Sequence, residues 1–529
     1  MTACVIGVDV GTGSARAGVF DLTGHMLGTD SAPIEMHREG HDRVEQSSTD
    51  IWSAICSSVR GAVSSAGVDP ADVAGIGFDA TCSMVVQGQG GTPLPVGNPD
   101  APERDVIVWM DHRAIEQARR INATGHSVLK YVGGRISPEM QTPKLLWLKE
   151  NRPEVFDAAA GFFDLTDWFT WRATGSLARS VCTVTCKWTY LAHEKRWDAD
   201  YFHTIGLEEL ADEGFARIGT QIVEPGTALA NGLTDRAAQE LGLPPNTPVA
   251  AGLIDAHAGG IGTVGAEGDP TENLAYVFGT SSCTMTTTDE PVFVPGVWGP
   301  YKSAMVPGAW LNEGGQSAAG AAIDALLAHH PASATVETGA ESLPIVLAAR
   351  AQSTSGNASG SVALARGIHV VPEFLGNRAP HADPDTRAVI AGLGMAQDED
   401  SLTALYVAGI CGIGYGLRQI VTAQRAEGIN VERILISGGA GKSPYVRQIL
   451  ADTTGLEVVA PLAEEPVLLG SAILGAVAGA AHPSVTDAMS AMTRIGERYD
   501  PSQDHASIHD GRFQIFCRLQ ETMRKAASL

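Results

Sequence analysis

The stretch "VIGVDVGTGSARAGVFDLTG" at residues 5–24 reads as an apolar strand, a tight turn Gly11-Thr12-Gly13-Ser14, and a second apolar strand ending at Asp21. One residue does not suit a plain hairpin: Asp9 stands inside the first strand, at a position that should be buried. A buried carboxylate without a partner is costly. Backbone N–H groups in a Gly/Thr/Ser turn can reach phosphate oxygens, because glycine has no Cβ to obstruct them. A strand acid beside such a turn can hold Mg²⁺ through water, since Mg²⁺ takes one or two carboxylates together with phosphates. An ordinary hairpin turn is the competing reading, and this stretch alone leaves both open.

The pattern recurs. "AYVFGTSSCTMTT" (275–287) is again strand, turn, strand, with Gly279-Thr280-Ser281-Ser282 in place of the first turn and Val277 where Asp9 stood. The copies lie about half the chain apart, which suggests two domains of like design. A chain of 529 residues is in any case too long for a single core. A third glycine turn, in "ILISGGAGKSPYVRQILADTTG" (434–455), reads as strand, Gly438 to Gly441, then helix. It imitates the end of a phosphate-binding P-loop, but that motif needs glycine at 436, and the residue is Ile436.

Elsewhere the spacing predicts a helix over 49–66, strands at 73–86 broken near the middle, a buried strand over 106–111, and helices near 111–122 and 142–150. "PVAAGLID" (248–255) reads as an apolar strand ending on an acid, and the Ala/Ser/Thr-rich residues 330–361 as an exposed excursion. Asp255 suits a helix cap as well as a general base facing a cleft. Lys187 and Glu313 are equally ambiguous taken singly.

Net charge is −24, from 36 basic and 60 acidic side chains, which argues against nucleic acid or an anionic membrane as main partner. The eight cysteines show no zinc-ligand spacing, and thiols scattered this way fit a reducing compartment. No run of about 18 apolar residues is present, and no basic segment precedes a long apolar core near residue 1. The expectation is a cytoplasmic protein.

Together these segments resemble the FGGY family of carbohydrate kinases, in the actin/Hsp70/hexokinase superfamily. The resemblance runs from about residue 4 to about 480 through "GVDVGTGSARAGVFD", "WMDHRA", "TPKLLWLKENRPEVF", "DLTDWFTWRATG", "AGLIDAHAGGIG", "FGTSS", "PEFLGNRAPHADPDTRAVIAGL", "ISGGAGKSPYVRQILAD" and "EPVLLGSAILGAVA". It implies an α/β fold of two ribonuclease-H-like domains with the active site in the cleft between them. The expected division is 1–262 on the sugar side, 263–483 on the nucleotide side, and a helical tail over 484–529 packed on both. The implied chemistry is transfer of the ATP γ-phosphate to a sugar or polyol hydroxyl.

Carried onto this sequence, the resemblance makes Asp255 the catalytic base and Asp9 the organiser of Mg²⁺. Gly11, Thr12, Gly13 and Arg16 would lie along the phosphates, and Gly279 and Thr280 would supply the second phosphate turn. Gly320, Gly439, Ala440 and Ser443 would border the adenosine. Lys187, Glu313 and Asp255 match the sugar-binding positions of the ribulokinase branch. The segment Thr81-Cys82-Ser83 is similar to that of D-ribulokinases. The cofactors implied are ATP and Mg²⁺, and a homodimer is one assembly open to the chain. D-ribulose is the first acceptor, with L-ribulose, ribitol, xylulose or another polyol as alternatives. A non-catalytic actin-like ATP-binding protein is the alternative from another class.

Overall fold

The computed structural model describes residues 3–40 and 42–527. Cys4–Val10 (β1) is buried along its whole length and pairs antiparallel with Ser14–Asp21 (β2), which pairs in turn with Met26–Pro33 (β3). Ser48–Ala66 (α1) opens on Ser47, whose hydroxyl accepts the Asp50 N–H, and stops at Gly67, held left-handed at φ 64°. Its buried residues Ile51, Ile55, Val59 and Ala62 recur every three or four positions, and this face covers β2 and β3. Val73–Ala80 (β4) runs parallel to β1, and Leu253–Ile254 (β5) parallel to β4, giving the order β5-β4-β1-β2-β3. β1 has a strand on either side and is covered on both faces, which is why it is a continuous apolar run rather than an alternating one.

At Thr81, Cys82 and Ser83 the chain leaves this sheet for a second one, built from residues 37–39, 43–46, 106–107, 84–87 and 161–164. The helix Val181–Trp188 (α2) follows that sheet in the chain, and Asp255–Val264 (α3) begins immediately after β5.

The second half repeats the first. Asn273–Phe278 (β6) and Ser282–Thr288 (β7) form the hairpin. Trp298–Lys302 (β8), Trp310–Gln316 (β9), Arg433–Ser437 (β10), Glu457–Pro461 (β11) and Ile495–Tyr499 (β12) complete a sheet ordered β8-β9-β7-β6-β10-β11-β12. Its central five strands copy β3-β2-β1-β4-β5. The helices are Gly320–Ala328 (α4), Glu399–Ala426 (α5), Pro444–Thr454 (α6), Pro466–Ala478 (α7) and Ala506–Ala527 (α8). By length and composition α5 could cross a membrane, but it serves as the core helix of this half, packed on α4, α6 and β9.

The halves interlock. α3, from the first half, lies on β6 and β10, while α7, from the second, lies on β1 and β4. Glycines make this approach feasible: a Cβ on Gly470 would stand 1.9 Å from the carbonyl oxygen of Ala258, and one on Gly7 would stand 2.0 Å from that of Leu468.

Four segments differ from the sequence expectation. Residues 330–361 carry a helix, Leu343–Ser355, whose Leu347, Ala348 and Ala351 enter the second core, so the composition hid a packed element. The strands expected at 106–111 and 248–255 shrink to Val106–Ile107 and Leu253–Ile254. Beyond Ile107 the chain turns toward Val44 and Ser83, to which Val108 and Trp109 donate their N–H groups. The stretch expected as a helical tail also supplies β12, antiparallel to β11, before α8.

Candidate active site

Parallel strands β1, β4 and β5 deliver three carboxylates to one end of the first sheet. Their register pairs Asp9 with Asp79 and Asp79 with Leu253, so Asp9 and Asp79 lie side by side and Asp255 starts α3 just beyond β5. Asp79 was missed in the sequence, yet "GFDA" (77–80) repeats the acid of "GVDV" (7–10) at the same strand end. Its Oδ2 accepts from Ser471 of α7, and its Oδ1 is buried without a hydrogen-bond partner. Burial and the neighbouring Asp9 hold the Asp79 carboxyl well above its usual range. Burial, with Asp9 again adding repulsion, raises Asp255 to about 6, against the pull of the Ala256 N–H at 2.7 Å.

Asp9 is 2% exposed, and its Oδ2 accepts from Arg16 Nη2. The two face each other across the β1–β2 ladder, so the hairpin itself brings the cation to the buried acid. Arg16 Nη1 donates to Glu465 Oε2 at 2.7 Å, and Lys442 Nζ lies 3.4 Å from Glu465 Oε1. Alternating charges thus run from the first-half hairpin to the third glycine turn.

Each hairpin turn is closed by its first glycine, Gly11 N–H donating to Ser14 O at 3.1 Å and Gly279 N–H to Ser281 O at 2.9 Å, the second turn being one residue tighter. Thr12 is anchored by Gln46, which donates to its carbonyl, and by the indole N–H of Trp109, 3.1 Å from its hydroxyl. Gly13 and Gly439 have open space where a Cβ would be. Gly320 N–H donates to Gly279 O at 3.0 Å, Ala321 N–H donates to Thr280 O, and a Cβ on Gly320 would lie 3.6 Å from that of Ala440. The structure therefore brings Gly279, Thr280, Gly320 and Ala440 together. Ser443 caps α6, its hydroxyl accepting the Val446 N–H at 3.4 Å.

Across the cleft, Lys187 at the end of α2 is buried, with Nζ 3.4 Å from Glu313 Oε1 of β9 and 4.6 Å from the ring centre of Trp298. Glu313 Oε2 lies 3.4 Å from His257 Nε2 of α3. Burial alone would raise Glu313, but Lys187, His257 and Arg378 outweigh it and hold the carboxyl at about 2. Arg378, Glu139 and His257 belong to this polar patch and were not singled out in the sequence. Arg378 is a lone cation in "GNRAP", set among loop residues with no periodic signal. Cys82 borders the patch, its thiol pushed up to about 12 by burial. The hydroxyls of Thr81 and Ser83 lie 3.1 Å apart, and Ser83 Oγ accepts the Trp109 N–H, so Ser83 is occupied within the protein.

Residues 4–262 match the N-terminal domain, and residues 274–479 the C-terminal domain, of the FGGY family of carbohydrate kinases. A human FGGY carbohydrate kinase domain-containing protein is 44% identical, covering 98% of this chain and 96% of its own. The D-ribulokinase of Saccharomyces cerevisiae is 38% identical over 89% of this chain and 71% of its own. A ribulokinase from Bacillus licheniformis is 28% identical over 98% and 94%. Among solved structures, a ligand-bound xylulose kinase from Lactobacillus acidophilus superimposes with a TM-score of 0.81 at 20% identity, covering 98% of both chains. Plasmodium falciparum glycerol kinase with ADP gives 0.78 at 16%, again over 98% of both. At these identities the superpositions speak for the fold alone.

Proposed function

We propose, from the premise that the chain belongs to the FGGY family of carbohydrate kinases and is an ATP-dependent pentulose kinase, that its acceptor is D-ribulose and its product D-ribulose 5-phosphate. The observation that carries this reading is the convergence of Asp255, Lys187 and Glu313, from three separate elements, on one buried polar patch. An ammonium and a carboxylate held together can orient both the carbonyl and the hydroxyls of an open-chain ketose. Asp255, ionised at neutral pH, takes the proton of the attacking hydroxyl as its oxygen bonds to the γ-phosphorus and ADP leaves. Thr12 and Gly13, and Thr280 in the second turn, offer backbone N–H groups to the phosphates while the Gly11 and Gly279 N–H groups close the turns, and Gly320, Gly439 and Ala440 form the bare surface for the adenosine.

The carboxylates fit Mg²⁺. Asp9, already held by Arg16, and the unpartnered Oδ1 of Asp79 stand at the foot of the phosphate turn, where a bound cation would favour the ionised form of Asp79. The ion, when bound, neutralises phosphate charge. All eight cysteines are free, which supports our placing the protein in the cytoplasm.

The test is an ADP-release assay with D-ribulose, L-ribulose, D-xylulose, ribitol and glycerol. The highest kcat/KM is expected for D-ribulose. A preference for another of the five would reassign the acceptor, and nucleotide binding without turnover on any of them would overturn catalysis itself.

A further inference from the structure

Behind the acceptor patch lies a second group of polar side chains that the phosphoryl transfer does not use. His257 is fully buried, with Nδ1 hydrogen-bonded to Cys182 Sγ at 3.0 Å and Nε2 at an ion-pair distance of 3.4 Å from Glu313 Oε2. Glu313 can only accept, so Nε2 carries a proton, and Nδ1 either accepts the Cys182 S–H or, in an imidazolium, donates to a Cys182 thiolate. Cys182 Sγ, also fully buried, accepts the Ile254 N–H at 3.5 Å as well. A backbone N–H on the sulfur and a carboxylate on the far side of the ring both favour moving the shared proton from Sγ to Nδ1.

We propose that Cys182 and His257 form a buried thiolate–imidazolium pair that orients the acceptor-binding carboxylate Glu313. Glu313 is then gripped on both oxygens by cations, Lys187 on Oε1 and His257 on Oε2, and presents a fixed anionic face to the sugar. Both residues are positioning residues, acting through Glu313, and the proposal rests on the reading that Glu313 binds the acceptor.

The groups facing His257 are Cys182 and Cys186 from α2, Lys187 at its end, Glu313 from β9 and Asp255 on its own helix, with Arg378 bearing on Glu313. Burial would lower His257, but Cys182 and Glu313 raise it to about 10. Burial would raise the Cys182 thiol, but the neighbouring Cys186 and the charge on His257 outweigh it and hold it below the usual thiol range. Cys186 is pushed up by burial and by Cys182 and stays a thiol, so the helix contributes one negative charge.

Cys182→Ser keeps the shape and removes the thiolate. Expected are an ultraviolet thiolate band in the parent that vanishes in the variant, and a fall of about 10- to 100-fold in kcat/KM for the acceptor. KM for ATP should stay within about twofold, and the alkaline limb of the acceptor kcat/KM profile should move toward neutral pH as His257 loses its partner. The band is read without substrate, so it separates this proposal from the choice of acceptor and still decides if the variant does not fold. Absence of the band in the parent would overturn the pair. So would an unchanged alkaline limb in Cys182→Ser, or stoichiometric zinc on Cys182, Cys186 and His257, whose ligand atoms lie within 4.8 Å of one another.

Discussion

Asp255, half-buried, and Asp9, buried, are carboxylates with opposite needs. The proton-accepting carboxylate has to be ionised to work, and with its pKa raised to about 6, kcat/KM for the acceptor should climb through pH 6 and flatten above it. The sign for stability is the reverse. A carboxyl raised on folding favours the folded state below its unfolded value near 3.8, and that contribution is lost as pH rises through 6. Asp255→Asn should therefore lose about 10²–10⁴-fold in kcat. Its melting temperature should equal or exceed the parent's at pH 7, and its stability should lack the parent's decline between pH 4 and 6. Retained turnover within a few-fold would remove Asp255 from the chemistry. Asp9 already has Arg16, a half-exposed partner that keeps Glu465 when Asp9 is changed. Asp9→Asn should consequently stay within about 1 kcal/mol of the parent without ligand. It should lose most of the melting shift produced by Mg²⁺-ATP, because that shift measures binding to the folded state alone. A variant with the full shift would show that Asp9 serves only the hairpin.

Among the elements, glycines divide into those that face nothing and those that face backbone. Gly439 has no atom within 4 Å of a Cβ and its φ is not left-handed, so Gly439→Ala should fold within about 1 kcal/mol of the parent while raising KM for ATP. Gly470→Ala pushes a methyl against the Ala258 carbonyl and should cost about 1–3 kcal/mol or more, read as a lower midpoint in urea with activity falling alongside. If the two substitutions behaved alike, crowding would not be what separates them. The glycine turns also explain what sequence could tell. The hairpins at 4–21 and 273–288 were legible because each is local: two apolar runs around one turn, repeated. Asp9 could be suspected of a special role for the same reason. Asp79 escaped because its meaning lies in register with Asp9, a pairing of strands some seventy residues apart that no local pattern encodes. Arg378 and His257 escaped because one sits in an aperiodic loop and the other in a helix of small residues, and only the folded cleft sets them against Glu313. The helix at 343–355 was hidden by its alanines and serines, which pack on α5 without an apolar stripe strong enough to read.

For the molecule as a whole, the reciprocal placement of α3 and α7 means that each half is roofed by a helix encoded in the other. A cut in the turn at 265–269 would leave the first fragment with β1 and β4 stripped of α7 and with α3 projecting apolar into water, and the second fragment in the mirror predicament. Neither fragment alone should give a cooperative melt, and each should aggregate when expressed singly. Produced together they should recover ATP-dependent phosphorylation, and a soluble, cooperatively melting single fragment would contradict the idea. The gene is thereby a natural substrate for fragment complementation. Fused to two proteins that bind each other, its pieces would report the encounter as sugar phosphate, because an exchanged roof makes partnership the condition of folding.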